Sequence, residues 1–142
     1  MIDRDSDMRI LGKEESVTLL NSIEGRDRLA VMFGLHAGLR FGEVFLLEWA
    51  DFNPDDGVLR IHNRKRDETV CVPLSEAVIS ELKTYIASSE GERLYEDQTA
   101  VSSSRYLMML NKKFKHLLSG GVSFKTLRHT FLVNLATSGM AV

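Results

Sequence analysis

One cysteine, two prolines and no apolar run of bilayer length remove several classes of protein at once. A single thiol, Cys71, cannot close an internal disulfide, which excludes the disulfide-stapled secreted scaffolds. Its apolar, strand-like neighbourhood reads as a small buried hydrophobe in a reducing compartment. With few breakers and 44% hydrophobic residues, the 142-residue chain is expected to form one compact domain with a real core. A membrane-spanning helix needs about 20 consecutive apolar residues, and nothing here approaches that. The acidic start Met1-Ile2-Asp3-Arg4-Asp5 has neither the basic region nor the apolar stretch of a signal peptide, so a soluble, cytoplasmic protein is expected. Walker, Rossmann and zinc spacings are also missing, and Gly120-Gly121 lacks the lysine and helix start of a phosphate loop. His36, His62 and His116 are scattered without the paired spacing of a metal site and read as packing or surface groups. Neither a cofactor nor a metal is expected.

Acid is the residue class most unevenly withheld. Residues 1–97 hold all 20 acids against 12 Lys+Arg, whereas residues 98–142 hold 6 Lys+Arg and no acid. The net charge of -2 argues weakly against a nucleic-acid partner, yet the average hides this division, which allows a local basic surface.

Apolar residues recur at helical spacing over 14–23 and 26–36, with Gly25 as the break. A third short helix is expected over 41–49, with Val44, Leu46, Leu47 and Trp49 as buried types, before Asn53-Pro54-Asp55-Asp56-Gly57 forces a turn. Residues 58–61 and 69–72 alternate like paired strands around a charged tip at 63–68. A helix over 75–87 is capped by Ser75 and carries Val78, Ile79, Leu82 and Ile86 on one face. The polar stretch 88–99 reads as a loop. Helices over 106–118, closed by Gly120-Gly121, and over 126–137, ended by Gly139, complete the chain. Met108 and Met109 fall on an apolar face and are expected in the core. The fold class is α+β: mainly helical, with a small antiparallel sheet.

Chemistry concentrates in two arginine-centred segments, Ala37-Gly38-Leu39-Arg40-Phe41-Gly42-Glu43 and Lys125-Thr126-Leu127-Arg128-His129-Thr130-Phe131. Arg40 follows a glycine on a link between helices, where a guanidinium fork can project into a cleft and hold two phosphate oxygens. The ordinary alternative is a surface arginine paired with Glu43 or Glu48. Lys125 and Arg128 are three residues apart, so both can face the cleft of Arg40. His129 is adjacent to Arg128 and turned about 100° from it on a helix, which favours a structural, hydrogen-bonded histidine. The tip residues Arg64, Lys65 and Arg66 place three cations on a two-stranded ribbon, a shape that can enter a DNA groove or simply be a solvated turn.

The order of these segments, with a lysine hairpin between them, resembles the catalytic domain of tyrosine recombinases, the phage integrase family. The resemblance covers nearly the whole chain. It implies the family's DNA breaking-rejoining fold and bacterial or phage-encoded site-specific recombination or integration on double-stranded DNA. Strands would be cleaved and rejoined through a 3′-phosphotyrosine, by a protein acting as a tetramer. It implies that Arg40, Lys125 and Arg128 bind and stabilise the phosphate and that Glu43 helps orient Arg40. Counting back from Val72-Pro73-Leu74 selects Lys65 as the general acid, which leaves Arg64 and Arg66 as DNA contacts. Lysine at 125 departs from the commonest integrase pattern, histidine, and is similar to type IB topoisomerases.

The family's tyrosine lies beyond its second arginine, whereas Tyr85, Tyr95 and Tyr106 all precede Arg128. No residue of this chain is therefore assigned as nucleophile. The chain is read as a partial catalytic domain over 1–142, without the N-terminal DNA-clamp domain or the C-terminal His/Tyr segment. Three alternatives stay open: a non-enzymatic DNA-binding remnant, a recombinase taking its tyrosine in trans, and a helical interaction module carrying the motifs by chance.

Overall fold

In a computed structural model, residues 9–63, 66–86, 94–95 and 102–137 are described. Among the described residues six helices and a three-stranded sheet follow in the order α1 (Lys13–Ser22), α2 (Gly25–Ala37), α3 (Phe41–Phe45), a 3-10 turn (Trp49–Asp51), β1 (Phe52–Asn53), β2 (Val58–Asn63), β3 (Glu68–Pro73), α4 (Glu76–Ile86), α5 (Ser103–Leu117) and α6 (Phe124–Thr137). The α+β expectation holds. Among the described residues no helix is long and apolar enough to cross a membrane.

The core is built around α2. Residues Leu29, Ala30, Val31, Met32, Phe33 and Leu35 are buried in succession, so this helix is covered on all sides rather than along one stripe. Each large apolar side chain sequestered there contributes roughly 1.5–3 kcal/mol relative to exposure. Its partner is α6, which buries Phe124, Thr126, Leu127 and Thr130. The two helices approach so closely that a Cβ on Gly34 would stand 2.9 Å from the Leu127 Cβ. Thr130 secures the chain's start to this core: its hydroxyl accepts the Leu11 N–H at 2.8 Å and donates to the Thr126 carbonyl at 2.7 Å. Arg9 adds a second tie, bonding Glu15 at 2.6 Å and the Ser119 carbonyl at 2.8 Å.

The sheet is antiparallel in the order β1-β2-β3, with Leu59 opposite Val72 and Arg60 opposite Cys71. The two-residue strand β1 is too short to leave an alternating pattern, and sequence reading missed it. Leu59 and Ile61 turn inward, but Cys71 is exposed rather than buried. Strand pleating explains the correction: Cys71 shares the outward side with Arg60, and β3 lies at the edge of the sheet.

Other expectations are corrected by packing. The third helix stops at Phe45 instead of reaching residue 49, and Leu46 is exposed. The chain unwinds there because Leu47 turns inward while its carbonyl accepts the Leu94 N–H at 3.2 Å. Leu94 and Tyr95, inside the expected loop, are wholly buried; the rest of 88–99 lies outside the described residues, as does Gly139. Met108 and Met109 are exposed, not core. The buried stripe of α5 is Tyr106, Leu110 and Phe114, and residue 108 stands about 200° round the helix from Tyr106. Helix α4 starts as expected, with the Ser75 hydroxyl accepting the Val78 N–H, but Ile86 is partly exposed at its end.

Candidate functional site

Three cations read from the sequence converge on one cleft of about 630 Å³ between the start of α3, the middle of α5 and the first two turns of α6. Arg40, Lys125 and Arg128 line it, together with Asn111 and His129, over an apolar floor that includes Phe41 and Phe124. Among the described residues no carboxylate lines it. A dianion or phosphodiester would therefore meet a field of one sign inside partly low-dielectric walls, the arrangement that strengthens electrostatic binding.

Each cation is positioned by local structure. Helix α2 ends on Gly38 in the left-handed region (φ 68°), whose N–H returns to the Phe33 carbonyl. This turn delivers Arg40 in extended conformation to the N-cap of α3. Glu43 accepts the Arg40 main-chain N–H at 2.8 Å. The acid thus orients Arg40 through its backbone and leaves the guanidinium exposed, without an ion pair to Glu43, Glu48 or any other described acid. Arg128, partly buried, donates its Nε–H to the Gly38 carbonyl at 3.1 Å. That bond engages Nε alone and leaves the terminal nitrogens of this cleft-lining residue uncommitted to it.

Helix α6 begins where Ser123 and Thr126 cap each other: the Ser123 N–H bonds the Thr126 hydroxyl at 3.0 Å and the Thr126 N–H bonds the Ser123 carbonyl at 3.0 Å. Lys125, Arg128 and His129 then fall on one helical face, while Thr126, Leu127 and Thr130 are buried on the other. His129 is the correction here. It lines the cleft and has no hydrogen-bond partner among the described residues, instead of being a bonded structural histidine. Its offset from Arg128 was the wrong measure, since the spacing of four from Lys125 places it on the cleft face.

Beneath the floor, Phe41 packs against Phe45, Phe124 and Tyr106, with ring centroids 5.4–5.9 Å apart. Tyr106 donates to Asp27 at 2.6 Å, and Asp27 also pairs with Lys113. Tyr95 donates to the Arg26 carbonyl at 2.8 Å. Burial pushes the phenols of Tyr95 and Tyr106 well above their ordinary range, with the Asp27 bond adding to the effect at Tyr106. Tyr85, carrying the Arg26 guanidinium over its ring at 5.4 Å, is also raised by burial. None of the three tyrosines lines the cleft.

Of the three hairpin candidates only Arg66 is among the described residues. Arg66 is exposed in the tip turn, and Arg64 and Lys65 lie outside the described residues. Asn111 was missed altogether; nothing local marks an asparagine in mid-helix as part of a site.

Residues 9–142 match the model of the phage integrase family. The chain is 29% identical over 143 residues to tyrosine recombinase XerA of Thermococcus kodakarensis, covering 94% of this chain and 51% of that protein. It is 25% identical over 125 residues to tyrosine recombinase XerC of Chlamydia pneumoniae, covering 81% and 40%. The chain thus spans about half the length of the curated relatives it matches. Among solved structures, XerA recombinase superposes with a TM-score of 0.78 at 22% identity, covering 93% of this chain and 52% of that one. The Tn1549 transposon integrase in complex with a circular intermediate DNA gives 0.78 at 20% identity, covering 93% and 54%. The catalytic domain of bacteriophage HP1 integrase gives 0.66 at 20% identity, covering 94% and 74%. These likenesses establish the fold.

Proposed function

The chain belongs to the phage integrase family, and from that premise we propose that its cleft binds a DNA phosphodiester for strand cleavage and rejoining in site-specific recombination or integration. The carrying observation is the convergence of Arg40, Lys125 and Arg128 on a cleft that no carboxylate of the described residues lines. In this reading a tyrosine hydroxyl attacks phosphorus, a 3′-phosphotyrosine forms, and the 5′-oxygen leaves with a proton from Lys65. A 5′-hydroxyl from another strand reverses the step. Arg40, Lys125 and Arg128 offset the charge of the pentacoordinate phosphorus, while Glu43 holds Arg40 in place. Arg64 and Arg66 contact the DNA backbone or groove beside the site.

The nucleophile comes from outside the residues of this chain. Support comes from the absence of all three tyrosines from the residues that line the cleft and from the commitment of two phenols to part-buried hydrogen bonds. Double-stranded DNA is the partner, in keeping with the DNA present in the Tn1549 integrase structure. The parent protein self-associates as a tetramer on that DNA in the cytoplasm.

Fluorescence anisotropy with a labelled DNA duplex tests the reading. Arg40→Ala and Arg128→Ala should each weaken binding and lower the slope of log K against log salt by about 1. Unchanged affinity in both variants would overturn phosphate binding by this cleft. A denaturant-resistant protein-DNA adduct formed by this chain alone would overturn the assignment of the nucleophile elsewhere.

A further inference from the structure

We propose that Asn111 is a further substrate-contact residue of this cleft, its side-chain amide bridging the first turn of α6 and a phosphodiester oxygen. This rests on the phosphate-binding reading above and names a donor that the arginine motifs do not contain.

Asn111 lies in the middle of α5, partly buried, and lines the cleft with Arg40, Lys125 and Arg128. Its Oδ1 accepts the main-chain N–H of Phe124, the first residue of α6, at 2.9 Å. That bond decides which end of the amide is which. A main-chain N–H requires an acceptor, so the oxygen faces α6 and the Nδ2 group faces away from it. Nδ2 has no partner among the described residues, yet it does not belong to the buried unpaired polar atoms, so it reaches solvent. A two-hydrogen donor held by its own oxygen, on the wall of a cleft lined by three cations and, among the described residues, no acid, suits an anionic oxygen. Unlike the arginines it is neutral and rigidly placed, and it adds direction to the binding without adding net charge. Because Phe124 is one residue before Lys125 and four before Arg128, the same amide also ties the donor to the backbone turn that carries both cations.

The two halves of the amide can be separated by substitution. Asn111→Asp keeps an oxygen for the Phe124 N–H and places a carboxylate at a helix N-terminus, where it is favourable. It removes the Nδ2 donor. Asn111→Ala removes both halves without introducing charge. With a labelled DNA duplex as probe, Asn111→Asp should retain a thermal midpoint at or above that of the unsubstituted chain while losing affinity by at least tenfold. Asn111→Ala, measured below its lowered midpoint, should lose affinity on the order of tenfold. Its salt slope should not change, since no counterion is released by a neutral group.

Affinity equal to that of the unsubstituted chain in a stable Asn111→Asp would overturn the inference. Wild-type affinity in a folded Asn111→Ala would also overturn it, by leaving only a charge effect in the aspartate. If the alanine variant fails to fold, Asn111→Leu, a neutral near-isostere without the amide, takes its place: loss of affinity on the order of tenfold supports the inference and wild-type affinity overturns it. Arg40→Ala and Arg128→Ala in the same assay keep the two levels apart. Loss there with full binding in both Asn111 variants defeats this inference alone, whereas full binding in the arginine variants defeats the reading on which it rests.

Discussion

The Nε–H of Arg128 rests on the Gly38 carbonyl at 3.1 Å, across 90 residues of sequence. One arginine of the cleft is thereby seated on the turn that presents the other, Arg40, two residues after Gly38. The two guanidinium groups are coupled through main chain, so a change at the turn is expected to reach both.

Gly38→Ala tests that coupling. A Cβ here would stand 2.4 Å from Cδ2 of Phe131, and φ is 68°, so crowding and backbone strain act together. The expected loss of stability is about 2–4 kcal/mol, from the left-handed penalty plus overpacking, read from the denaturant midpoint. Phe131→Leu combined with Gly38→Ala should recover only the crowding part.

Arg128→Lys keeps a cation but cannot place one edge on the Gly38 carbonyl while offering a fork to phosphate. Affinity for a DNA duplex should fall nearly as far as in Arg128→Ala. The salt slope should stay closer to that of the unsubstituted chain, because charge is retained. Equal affinity for the lysine variant would show that charge alone suffices at this position.

Tyr106→Phe removes the bond to Asp27 while preserving the ring that packs under Phe41. The cost should be about 1–2 kcal/mol, since the Asp27 carboxylate keeps Lys113 but loses its buried donor. A double-mutant cycle with Asp27→Asn should show coupling of roughly 0.5–3 kcal/mol, measured by chemical denaturation.

Acid should destabilise the fold in two stages. Burial lowers the His36 pKa from 6.5, with the Arg28 charge adding to it, and Nδ1 has no hydrogen-bond partner. Below pH 6.5 the unfolded chain therefore takes up a proton at His36 that the folded chain refuses, and stability falls as the pH drops. Glu15 has its pKa lowered from 4.5 by the Arg9 hydrogen bond, so its contribution is present above pH 4.5 and is lost on further acidification. Thermal midpoints of His36→Leu should be flatter than those of the unsubstituted chain between pH 7 and 5.5, and Arg9→Ala should flatten the lower stage.

Chemistry with a short sequence range was legible without coordinates. The spacing of Lys125 and Arg128 puts them on one helical face, the glycine before Leu39 and Arg40 ends a helix, and alternation at Leu59 and Ile61 marks a strand. These signals were readable because helical and strand periods are properties of neighbouring residues. Tertiary packing decided what depends on distant partners. Cys71 and Met108 are exposed because the sheet edge and the unburied side of α5 carry no further layer, while Leu94 and Tyr95 are buried because α2 and the segment after α3 supply carbonyl and hydrogen-bond partners. The same holds within the cleft. Arginine, lysine and their spacing are written in the chain, but the Gly38 carbonyl under Arg128 and the Asn111 amide at the start of α6 become parts of a site only when helices far apart in sequence come within hydrogen-bond reach.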